Sequence, residues 1–147
     1  MIDFLTGLTI GLHMVSAHVP AHEYQNNVNP GIYVRAENCA TAGVFRNTLN
    51  RVSAYVGCTP EWDFGLVSAA VTVGLASGYQ ERVAHDKCDV PGPNCVRPEG
   101  FTKGAIGLII APSVAVKIDK AALRLGFIPK MLGNQSNVFH LSIEGKF

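Results

Sequence analysis

Phe64-Gly65-Leu66-Val67-Ser68-Ala69-Ala70-Val71-Thr72-Val73-Gly74-Leu75-Ala76-Ser77-Gly78-Tyr79 separates at alternate positions into two chemically distinct faces. Val67, Ala69, Val71, Val73 and Leu75 share one face, and Ser68, Ala70, Thr72, Gly74, Ala76 and Gly78 share the other. A period of two is that of a β-strand, whose successive side chains point to opposite sides. The second face carries the stronger message. Strands facing bulk water are rich in Lys, Glu and Thr, whereas Gly, Ala and Ser suit the cramped lumen of a small barrel with its aliphatic face turned outward to lipid.

The same split recurs in both directions from that stretch. Between Lys103 and Lys117, Ile106, Leu108, Ile110, Pro112, Val114 and Val116 oppose Ala105, Gly107, Ala111, Ser113 and Ala115. At the end of the chain, Phe139, Leu141, Ile143 and Phe147 oppose His140, Ser142, Glu144 and Lys146. The pattern predicts strands near 3–15, 31–37, 41–47, 51–58, 63–79, 102–117, 121–130 and 137–147, an all-β, antiparallel up-and-down β-barrel of about eight strands forming one domain over 1–147. The length allows it, since a tilted strand crosses a bilayer in ~9–11 residues, although the second and third strands are short for a span. Connections alternate in length. Segments 16–30, 48–50, 80–101 and 132–136 fall on one end, while tight turns at Asn38–Ala40, Thr59–Glu61 and Asp119–Lys120 fall on the other, the asymmetry of outer-membrane barrels. Leu8, Ile10, Leu12, Val71, Val73, Leu108, Ile110 and Leu125 are expected outside, with Arg124, Glu144 and His140 in a paired network within.

With 16% charged residues and a net charge of +1, the chain advertises no polyanion-binding surface, so nucleic acid is not an expected partner. No run reaches the ~18 apolar residues of a transmembrane helix. Met1 leads straight into a strand without a basic and apolar leader, which predicts either a mature form with an added Met1 or a protein that stays in the cytoplasm. Outer membrane is the expected location, with cytoplasm or virion, and self-association of a soluble barrel, as the alternative.

Four cysteines allow three connectivities. Topology favours Cys88 with Cys95, which bracket a turn-rich loop, and Cys39 with Cys58, which fall at neighbouring tight turns. Free thiols are the alternative in a reducing compartment. No zinc site is expected, because structural zinc favours C-x₂₋₄-C pairs, and no cofactor is indicated.

Chemistry, if present, belongs at the long-loop end. His13, His18 and His22 gather there with Glu23 and several amides, and imidazole serves as base or ligand near neutral pH. Arg46 and Arg51 flank the opposing hairpin, above Ser53, Tyr55 and Tyr79, and guanidinium groups suit phosphate. The functional assignment is His18 as base, Ser16 or Ser53 as nucleophile, and Arg46, Asn47, Arg51, Tyr55, Tyr79 and Asn29 as ligand-binding residues, with membrane lipid or lipopolysaccharide as partner. Each piece also has a structural account: Asn29-Pro30-Gly31 is turn chemistry, rim histidines are commonly solvated, and lumen arginines pair with carboxylates such as Glu144 or Glu37.

Asn29-Pro30-Gly31, the run Gly43-Val44-Phe45-Arg46-Asn47-Thr48-Leu49-Asn50-Arg51-Val52-Ser53-Ala54-Tyr55-Val56-Gly57, Gly78-Tyr79, and Pro129 before a last strand ending in Phe147 resemble a group of small β-barrel proteins from proteobacteria and their phages. The resemblance runs from His18 onward and is most specific in the Gly-x-Phe-x-Asn-Thr-x-x-x-Arg-x-Ser-x-Tyr-x-Gly stretch. It implies a barrel, exported in some members, and no particular activity. Three functions follow: a lipid-binding or lipid-modifying outer-membrane barrel, a non-enzymatic barrel that masks a surface receptor, and a soluble phage or virion component.

Overall fold

The computed structural model describes residues 7–21, 25–79, 82–84, 99–101, 105–129 and 136–147. Its strands are β1 (Thr9–Val19), β2 (Val28–Arg35), β3 (Ala40–Arg46), β4 (Val52–Cys58), β5 (Glu61–Asp63), β6 (Val67–Tyr79), β7 (Arg82–Ala84), β8 (Glu99–Phe101), β9 (Ala105–Ile118), β10 (Ala121–Ile128) and β11 (Asn137–Lys146). The main sheet runs β4-β3-β2-β1-β11-β10-β9-β6, and a β4–β6 pairing closes it into an eight-stranded antiparallel barrel. β7 and β8 form a separate two-stranded sheet.

The wall is inverted relative to a water-soluble barrel. Leu12 (50% exposed), Val56 (61%) and Ile106 (71%) stand outside, whereas Arg35, Arg124, Glu144, Ser53 and Asn47 are buried. Of the residues expected outside, Leu12, Val73, Leu108 and Leu125 are exposed, and Leu8, Ile10, Val71 and Ile110 are half-buried.

Two departures from the expected strand pattern have local causes. The first strand begins at Thr9 and continues to Val19, past the expected end at residue 15, through a bulge. His13 pairs with Ser142 and Val15 with Leu141, leaving Met14 as the extra residue. Both Met14 and Val15 therefore face outward, and the inward set changes from Thr9, Gly11 and His13 to Ser16 and His18. The second departure is at Thr59–Glu61, where no reversal occurs. Cys58 pairs with Val73 and Glu61 with Ala70, so β5 continues the register of β4 across the break at Thr59–Pro60. The chain turns instead after Asp63, where the Phe64 amide donates to the Val67 carbonyl, and β6 starts at Val67 rather than 63. This extension lengthens a strand that is short on its own.

The disulfide joins Cys39 to Cys58 with a Cα separation of 4.8 Å, tying the β2–β3 turn to the end of β4. Cys88 and Cys95 lie outside the described residues, as do His22 and Glu23.

Candidate functional site

The barrel interior is built in three levels. At the short-turn end, Arg124 Nε donates to Glu144 Oε1 at 2.8 Å and Arg124 Nη2 to Glu144 Oε2 at 3.0 Å. Arg124 also bonds Glu61 across the lumen, and Arg35 Nη2 reaches Glu61 Oε2 at 3.1 Å and Glu144 Oε2 at 3.4 Å. Tyr33 donates to Glu144 Oε1 at 2.6 Å, Ser68 donates to Glu61 at 2.7 Å, and Arg124 Nη1 donates to Ser113 at 3.0 Å. Two guanidinium groups and two carboxylates balance: Arg35, Arg124 and Glu144 are buried, and Glu61 keeps 30% of its side chain exposed at the barrel end. The expected Arg124–Glu144 pairing is present. Arg35, Glu61 and Tyr33 complete it, and the alternation of Tyr33 and Arg35 with Ile32 and Val34 was the sequence signal for the two β2 members.

The middle level is aromatic. His13 Nδ1 lies 2.7 Å from His140 Nε2, and His13 Nε2 lies 3.1 Å from the Tyr55 hydroxyl. The His13 ring also packs on Tyr33 and Phe45 at centroid distances of 4.8 and 5.3 Å. Gly11 makes room for Tyr33, because a Cβ there would sit 2.0 Å from the tyrosine ring. His140 was expected in the charged network but contacts His13 in this aromatic level instead.

At the long-loop end asparagines organise the rim. Asn47, 0% exposed, donates from Nδ2 to Ser53 Oγ and to the Gly78 carbonyl, each at 2.9 Å. Its Oδ1 accepts the amides of Leu49 at 2.9 Å and Arg51 at 3.0 Å, so one side chain caps its own hairpin and ties it to β6. Gly78 takes φ of +83°, and a Cβ at that position would lie 2.6 Å from Ser53 Oγ. Asn29 accepts from Ser16 and donates to the Arg46 carbonyl at 3.0 Å.

The expected catalytic groups are each engaged separately. His18 is 6% exposed, and its Nδ1 donates to Asn27 Oδ1 at 2.8 Å. Its Nε2 is buried without a hydrogen-bond partner, and neither Ser16 nor Ser53 bonds it. The expected ligand-binding residues fall in four places. Asn29 and Asn47 are buried and hold backbone, Tyr55 is buried in the lumen, and Arg46 and Arg51 are exposed at the β3–β4 hairpin. Arg46 alternates with inward Phe45 and Asn47, so it faces away from Tyr55. Tyr79 ends β6, paired with Ala105.

No protein-family model and no curated protein sequence matches the chain. Among solved structures it is similar to the crystal structure of neisserial surface protein A (NspA), at 15% identity over 95% of each chain and a TM-score of 0.45.

Proposed function

We propose that this chain is an outer-membrane-type barrel, embedded in a bilayer by its aliphatic belt, that binds lipid or lipopolysaccharide at its loop-side rim. The observation that carries this is the inversion of the wall: buried ion pairs within and exposed Val, Leu and Ile on every strand from β1 to β4 and on β6, β9, β10 and β11. In water such a belt would leave far more contiguous apolar surface than a soluble monomer tolerates. Lipid removes that cost, and closure removes the unpaired strand edges that hydrocarbon forbids. Aromatic residues mark both margins. Trp62, Phe64 and Phe147 are exposed at the short-turn end, and Phe127 and Phe139 pair at 5.2 Å toward the loop end.

The Cys39–Cys58 disulfide supports exposure of the short-turn end to an oxidising compartment, the periplasm for an outer-membrane protein. The cross-lumen bonds of Arg124, Arg35, His13 and Tyr33 favour a filled interior over a conducting pore. Binding is favoured over catalysis because a Ser–His pair needs contact within about 3.2 Å, and His18 bonds an amide instead.

The test is solubility and insertion. The folded chain is expected to need detergent and to insert into lipid vesicles with protease protection of its strands. Monodisperse folded protein in detergent-free buffer would end the membrane assignment in favour of a soluble barrel. Mass spectrometry of non-reduced protein from its native membrane should show the Cys39–Cys58 linkage, and free thiols there would argue against export.

A further inference from the structure

We infer that the β3–β4 hairpin binds a lipid-borne phosphate at Arg46 on the outer wall of the barrel, with Arg51 reaching it from the hairpin tip, rather than in the lumen mouth. This rests on the bilayer assignment above and names the chemistry of its rim. Along the outward positions of the barrel strands, Arg46 is the one charged residue among the described residues; its neighbours on that face are Val44 and Val52, both exposed. An outward arginine is costly at the bilayer midplane and tolerated near the headgroups, so Arg46 marks the depth at which lipid phosphates lie. Arg51 is exposed at the tip of the same hairpin, opposite Asn47 and one residue before outward Val52, and no carboxylate of the described residues pairs with either guanidinium.

The hairpin is held before any ligand arrives. Asn29 bonds the Arg46 carbonyl at 3.0 Å, the Asn26 amide bonds the Thr48 carbonyl at 2.7 Å, and the Asn47 amide bonds the Arg51 carbonyl at 2.7 Å. Fixing the backbone in advance removes ordering cost from binding. Each guanidinium offers a planar fork that matches phosphate oxygens, and the low dielectric beside the hydrocarbon strengthens the pairing. A free phosphate ion would have to shed water to reach this depth. A lipid phosphate is already there, and its acyl chains can lie along Ile32, Val34, Val44, Val52 and Val56 on the same wall.

The experiment measures binding of a bisphosphorylated glucosamine lipid (lipid A) to the full chain in neutral detergent, by native mass spectrometry with titration. Wild type should bind the bisphosphorylated lipid at least about tenfold more tightly than its dephosphorylated counterpart, and R46Q/R51Q should lose that preference while keeping the heat-modifiable gel shift of an intact barrel. Equal binding of the two lipids, or an R46Q/R51Q barrel that still discriminates, overturns the proposal. So does displacement by millimolar inorganic phosphate, which would make the pair a site for the free ion. Should the double variant fail to fold, R46K/R51K replaces it; loss of most of the preference on swapping the planar forks for ammonium groups supports the site, and full retention overturns it. Detergent-free solubility would end the bilayer assignment itself, a result separate from all of these.

Discussion

Arg124 and Leu125 are consecutive residues of β10, yet the charged one is 6% exposed within the barrel and the aliphatic one 46% exposed on its wall. In a water-soluble barrel their places would be exchanged. On the bilayer reading proposed above, the two sides of the wall meet different solvents: the lumen satisfies polar groups by mutual pairing, and the outside would satisfy apolar groups with hydrocarbon. Each side tolerates what the other rejects. A charge inside must be matched, while outside it must lie near a headgroup.

The severest way to break the inner side is Glu144→Ala. It removes the carboxylate shared by Arg124, Arg35 and Tyr33, leaving the buried guanidinium groups with Glu61 as their one carboxylate. A loss of about 3–5 kcal/mol is expected, read as the unfolding midpoint in lipid vesicles. An unchanged midpoint would mean that water solvates the quartet. The corresponding test outside is Val73→Arg, for which about 2–4 kcal/mol is expected in a bilayer, against about 0–1 for Val52→Arg beside the hairpin. Equal costs at the two positions would contradict the depth assigned to the rim.

His13→Phe keeps the aromatic volume of the middle level but strands His140 Nε2 and the Tyr55 hydroxyl, so about 1–3 kcal/mol should be lost. The smallest effect belongs to the short-turn margin. There Lys117 donates to Asp63, and that hydrogen bond, with the Gly65 amide second, holds the Asp63 carboxyl below the usual carboxylate range. A lowered carboxyl contributes stability above its unfolded value and loses it as pH falls through the folded one. Because Asp63 is fully exposed, little stability is at stake. Carbon-13 titration should place Asp63 below the usual aspartate midpoint, and Lys117→Gln should move it back up; no movement would remove the pair from the account.

Alternation along β6, β9 and β11 was legible in the residues themselves, because which side chains share a face of a strand is a local property of extended backbone. The Cys39–Cys58 pairing was expected and is present, although the tight turn at Thr59–Glu61 on which the expectation placed Cys58 is absent and the chain reverses only after Asp63. The Arg124–Glu144 pair was also foreseeable, since a closed lumen with few charges obliges opposite ones to meet. What only the tertiary structure decided depends on register and on distance across the barrel. The Met14 bulge reverses facing within β1, bringing His13, Ser16 and His18 all inward when simple alternation would have put His13 on the side opposite the other two. Pro60 has the appearance of a turn residue, yet the β4 register continues past it because β6 supplies partners on both sides of the break, and Glu61 is thereby carried to two arginines from β2 and β10. Arg46 and Tyr55, grouped by sequence at one rim, stand on opposite sides of the wall because strand parity, not proximity along a hairpin, sets which solvent a side chain meets.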